Sequence, residues 1–83
     1  MDPTEITQRI QQYLEEEFPN EAVRLEVSTD LLEEWFIDSL GITETVLFLE
    51  SSFGVELTRA DINGENFKSI ETLTGLVARR LAA

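Results

Sequence analysis

Ile6, Ile10, Leu14 and Phe18 recur every four positions with Tyr13 beside them, a spacing that lays one buried stripe along a helix. Pro3, whose fixed φ suits a first helical position, starts that helix, with Asp2 as N-cap and Glu5 placed to complete a capping box; Pro19-Asn20 ends it. Residues 19–37 lose clear periodicity but keep scattered apolar side chains, among them Val23, Leu25, Leu31, Trp35 and Phe36. They predict a long loop pinned to the core, which is uncommon in a compact domain unless the loop has a function. Strand-like alternation is confined to residues 24–27, too brief to predict a sheet.

A second helix is predicted over residues 39–53, with Asp38 as N-cap, Ile42, Val46, Leu49 and Phe53 as its apolar stripe, and Gly54 just past its end. Thr58 can cap a short third helix over residues 59–62, closed by Asn63-Gly64. Ser69 then caps a last helix whose core stripe is Ile70, Leu73, Val77 and Leu81. Its first turn holds Glu71 and its last Arg79-Arg80, matching the macrodipole at both ends. The expected fold is all-α: a small four-helix bundle with a long loop between helices 1 and 2 and a short third helix, forming a single domain over residues 1–83.

Charge narrows the partners. Seventeen Asp and Glu oppose six Lys and Arg, for a formal net charge of −11. Such a chain repels phosphate backbones and anionic lipid headgroups, so no nucleic acid and no membrane insertion are expected. A basic patch on another protein is the better match, because electrostatic attraction speeds encounter without fixing the complex. The start, Met1-Asp2-Pro3-Thr4-Glu5, lacks the basic and then apolar regions of a secretion signal, and no apolar run nears the ~20 residues of a membrane span. A cytoplasmic monomer is the default expectation. The chain has no Cys and no His, which removes disulfides, thiolate metal sites and the usual general base and thiolate nucleophile.

Asp61-Ile62-Asn63-Gly64-Glu65 superficially suggests a calcium loop. With Gly64 at the sixth position the first is Arg59 and the twelfth Ile70, so both end ligands are missing. The more telling constellation is Asp38-Ser39-Leu40. A serine just after an N-cap holds its hydroxyl beside the free N–H groups of a first turn, where an anionic phosphodiester would lie in a favourable field. By geometry alone Ser39 is equally readable as a second capping residue.

The wider pattern bears on that choice. Thr29-Asp30-Leu31-Leu32-Glu33, Phe36-Ile37-Asp38-Ser39-Leu40, Glu44, Leu49-Glu50, Phe53-Gly54 and Ser69-Ile70-Glu71-Thr72-Leu73 together resemble the acyl carrier, or phosphopantetheine-binding carrier, protein family over residues 29–81. The resemblance implies an acyl-carrier-protein-like bundle and a covalent 4'-phosphopantetheine arm on Ser39, flanked by Asp38 and Leu40. It implies a phosphopantetheinyl transferase that attaches the arm from coenzyme A, with the arm's thiol carrying intermediates as thioesters. The chain would then be a non-catalytic substrate of its partners: the transferase, an acyl- or aminoacyl-loading ligase or acyltransferase, and a downstream synthase or transferase. Family recognition surfaces centre on the second helix, which places Leu40, Glu44, Leu47, Phe48 and Glu50 as partner-binding positions. Leu47 and Phe48 are also readable as flanks of a wide buried face, and Glu44 and Glu50 as plain solvated charges.

Three departures matter. Gly41 follows the motif leucine where fatty-acid carriers usually have an acid, and Ser51-Ser52 replaces a run of glutamates before Phe53-Gly54. Trp35 stands where many relatives have glycine, either shielding the attachment site or pinning the loop. These departures, with Asn66-Phe67 and Ser69-Ile70-Glu71, resemble discrete carriers of D-alanyl ligation, polyketide or nonribosomal peptide pathways more than housekeeping fatty-acid carriers. The remaining readings are a fatty-acid acyl carrier protein and an unmodified acidic adaptor.

Overall fold

The computed structural model describes residues 1–20, 23–35 and 39–82. Four α-helices and one 3₁₀ turn follow in order: α1 (Pro3–Glu17), α2 (Leu31–Glu34), α3 (Ser39–Phe53), η1 (Arg59–Asp61) and α4 (Ile70–Ala82). The fold is all-helical, and no strand occurs among the described residues.

Helix α1 begins as its sequence dictates, with the Asp2 carboxylate accepting the Thr4 N–H at 2.9 Å and Ile6, Ile10 and Leu14 buried. Glu5 does not close a capping box; it lies 3.6 Å from Arg9, one turn on, in an exposed ion pair. The loop expected over residues 19–37 contains α2, a single turn whose first N–H groups, those of Leu32 and Glu33, are bound by the Asp30 carboxylate at 3.1 and 3.2 Å. One turn is too short to carry a readable period.

The loop is fastened at several points. The Leu31 N–H donates to the Lys68 carbonyl at 2.7 Å and the Glu71 N–H to the Val27 carbonyl at 3.1 Å, binding the loop to the start of α4. On the other side Trp35 is buried, and its Nε1 donates to the Leu14 carbonyl of α1 at 3.3 Å. Of the two readings of Trp35, the structure supports the pin.

The expected stripe of α3 holds at Leu49 and Phe53 but shifts by one position in the first half of the helix. Its buried residues are Gly41, Thr45, Leu49 and Phe53, while Ile42 and Val46 are half-buried. A buried threonine is inexpensive here because its hydroxyl donates to the Gly41 carbonyl at 2.9 Å, inside the helix. Gly54, at φ +67, then ends the helix in the left-handed region that favours glycine.

Helix α4 starts at a capped Ser69, whose hydroxyl accepts the Thr72 N–H at 3.2 Å. It buries Ile70, Leu73, Leu76 and Val77 against α1, where the Thr7 and Thr74 hydroxyls pair at 2.9 Å. Leu81, placed in the stripe from its spacing, lies in the last turn and is exposed, whereas Leu76, outside that stripe, is buried. The 3₁₀ turn ends at Asp61, one residue earlier than expected. No described helix is long and apolar enough to cross a membrane.

Candidate functional site

Ser39 is the first residue of α3 and is exposed. The far end of the helix is held by Leu49 and Phe53 in the core and by Glu50, whose carboxylate accepts the Leu57 N–H at 3.0 Å. A fifteen-residue helix anchored in this way presents its first-turn N–H groups and their partial positive charge at a fixed place. That first turn contains no acidic residue, although the chain as a whole carries a net charge of −11. Asp38, assigned as N-cap, lies outside the described residues, as do Phe36 and Ile37.

From Ser39 the outward face of α3 continues through Leu40, Glu44 and Leu47. Leu40 and Leu47 are 62% and 60% exposed, two large apolar side chains with one carboxylate between them. The structure thus decides the open choice for Leu47: it is not a flank of the core. Phe48 is the opposite case. Its ring stacks on Tyr13 with centroids 3.9 Å apart and meets Phe53 edge-on at 6.0 Å, so it joins α3 to α1. Burial there pushes the Tyr13 hydroxyl above its ordinary pKa. Glu50 is half-buried by its bond to Leu57 and is not simply a solvated charge. Three of the five positions grouped on this helix therefore form an open face, and two serve the fold.

Beside this face lies a feature that sequence reasoning missed, an apolar cleft of about 200 Å³ lined by Leu32, Ile42, Ile62, Asn63, Gly64 and Phe67. Ile42 is three residues after Ser39, within one turn of α3. The misplaced stripe hid it: Ile42 was assigned to the core, whereas it is a half-buried wall of the cleft.

An exposed serine opening an anchored helix, inside an all-helical fold, agrees with a family comparison. The family model described as phosphopantetheine attachment site matches residues 8–78. The chain belongs to that family. Phosphopantetheine-attachment domains carry 4'-phosphopantetheine covalently, and the present chain is a carrier domain of this kind. Comparison with curated protein sequences yields no match.

The site suits such a group. An exposed hydroxyl can be reached by a modifying enzyme, and the first-turn N–H groups, with no acid inside that turn, favour a phosphodiester. Among the described residues no group of His, Cys, Asp or Glu is arranged to hold a metal ion. The residues of the suspected calcium loop are used otherwise: the Asp61 carboxylate is bound by Arg80, and the Asn63 side-chain oxygen accepts the Asn66 N–H at 2.8 Å.

Proposed function

We propose that Ser39 is the residue that bears the phosphopantetheine arm, and that the chain is an acyl or aminoacyl carrier serving a specialised pathway in the cytoplasm. The observation that carries the reading is the exposed Ser39 at the head of α3, within the 8–78 match to the attachment-site family. When bound, the arm supplies a terminal thiol that holds cargo as a thioester. The contribution of the chain is positional: α3 fixes the point of attachment, and its first-turn N–H groups stabilise the phosphodiester. With no His in the sequence, the proton leaving the Ser39 hydroxyl goes to a base on the modifying transferase.

The outward face of Leu40, Glu44 and Leu47 is the proposed docking surface for the transferase, the loading enzyme and the downstream enzyme. Its single carboxylate between two exposed leucines supports partners with a more apolar contact than a uniformly acidic helix would select. The same feature, with Gly41 and Ser51-Ser52 in place of acids, supports a specialised pathway over housekeeping fatty-acid synthesis.

Incubation with coenzyme A and a promiscuous phosphopantetheinyl transferase is expected to add the mass of one arm, located to Ser39 by peptide mass spectrometry. Addition that persists in Ser39→Ala, or no addition to the unaltered chain, refutes the assignment.

A further inference from the structure

Between α3 and α4, residues 54–69 contain only one turn of 3₁₀ helix, yet Ile62, Asn63, Gly64 and Phe67 from this stretch build one wall of the cleft beside α3. Much of its shape is fixed by polar bonds that converge on Asp61, which is only 7% exposed. The Asp61 carboxylate accepts the Thr58 N–H at 2.8 Å and the Arg80 Nε–H at 3.0 Å, and also binds Arg80 Nη2. The Asp61 carbonyl accepts from Asn66 Nδ2 at 2.9 Å. Asn66 in turn accepts Arg79 Nη2 on its side-chain oxygen at 3.2 Å and the Thr72 hydroxyl on its carbonyl at 2.8 Å. The polar tethers of this wall thus run to α4, whereas the facing wall, Leu32 and Ile42, belongs to α2 and α3.

We propose that Arg80, acting through Asp61, is a positioning residue that holds the η1 wall of the cleft and thereby sets the width of the space next to Ser39. Two bonds from one planar guanidinium to one carboxylate fix orientation as well as distance, which an ammonium cannot reproduce. Without Arg80 the Asp61 carboxylate is left buried with only Thr58, through its N–H and hydroxyl, as donor, and a buried charge without its partner is relieved by moving to water. Helix α4 stays in place, since Leu73, Leu76 and Val77 hold it in the core. The part that moves is η1 and the wall after it. The consequence for cargo rests on the reading of Ser39 as the arm's anchor: a wider cleft shelters a short acyl group less well.

The test uses Arg80→Met, which keeps much of the apolar stem, with Thr74→Val as a control that weakens α1–α4 packing elsewhere. In the unmodified protein, amide relaxation dispersion is expected to show exchange at residues 58–67 in Arg80→Met and none there in the unaltered chain or in Thr74→Val. Arg80→Lys is expected to fall between. Should Arg80→Met not fold, Asp61→Ala, which removes the acceptor of both Arg80 and the Thr58 N–H, gives the same readout. On the protein carrying an S-hexanoyl arm, hydroxylamine is expected to cleave the thioester several-fold faster in Arg80→Met. Absence of exchange in the Arg80 and Asp61 variants, or equal exchange in Thr74→Val, overturns the positioning role. Equal cleavage rates overturn its link to cargo. The dispersion measurement needs no arm, so its failure is distinguishable from failure of the Ser39 assignment.

Discussion

Trp35 offers a direct measure of how firmly the loop leading to Ser39 is held. It is buried and donates to the Leu14 carbonyl at 3.3 Å, but that carbonyl also accepts the Phe18 N–H at 3.0 Å. Trp35→Phe therefore does not orphan a buried acceptor, and the lost hydrogen bond costs only about 1 kcal/mol. Phenylalanine lacks roughly two of the indole's buried carbons, worth about 1.5 kcal/mol. The sum, about 2.5 kcal/mol, lowers the thermal midpoint of a domain this size by about 10–20 °C. A chain of 83 residues has about 4–12 kcal/mol to lose. Trp35→Phe should thus remain folded, while Trp35→Ala, at about 3–5 kcal/mol, approaches the limit. Urea titration followed by far-ultraviolet circular dichroism measures both. A Trp35→Phe variant within about 0.5 kcal/mol of the unaltered chain, the range of an ordinary surface substitution, would refute the pin.

Adjacent positions on α3 separate docking from packing. Leu47→Ala and Glu44→Lys should change stability by less than about 0.5 kcal/mol yet slow modification or loading by partner enzymes. Leu49→Ala should cost about 2–5 kcal/mol, and Glu50→Ala about 1 kcal/mol through loss of the Leu57 bond; chemical denaturation and initial loading rates at low salt distinguish the two classes. For Asp61, hydrogen bonding from Arg80 and then from the Thr58 N–H holds the carboxyl down at about 2 from an ordinary 3.8. Because the folded value is the lower one, its stabilisation is complete above about pH 4 and drains away as pH falls towards 2. Thermal midpoints across the acid range should fall less steeply in Asp61→Asn than in the unaltered chain, and parallel curves would contradict the coupling.

Helix existence was legible wherever the period ran for several turns, as in α1, where Ile6, Ile10 and Leu14 are all buried as spaced. It was not legible in α2, where one turn is created by the Asp30 cap and by backbone bonds to residues 68 and 71 that are remote in sequence. The first half of the α3 stripe was misassigned because apolar character was taken as the marker of burial, while Leu49 and Phe53 are buried as spaced. Gly41 and Thr45 are buried through small size and an internally satisfied hydroxyl, and this turns Ile42 towards the cleft. Arg79 and Arg80 show a similar limit. Their position matches the macrodipole, but their partners, Asn66 and Asp61, are thirteen and nineteen residues away, beyond any local rule. Asp38-Ser39-Leu40 stands out in the sequence because it is a contiguous motif, whereas the exposure of Leu47 beside the packing of Phe48 depends on where Tyr13 lies.

The acid-free first turn of α3 has a kinetic consequence. Coenzyme A is itself an anion, and over most of this chain's surface it meets net repulsion from a molecule of charge −11. Within α3 the first turn adds no acid to that of Asp38 beside Ser39, and its N–H groups lower the repulsion that an anion meets at this end of the helix. Added salt thins the repulsion that remains and so speeds the encounter.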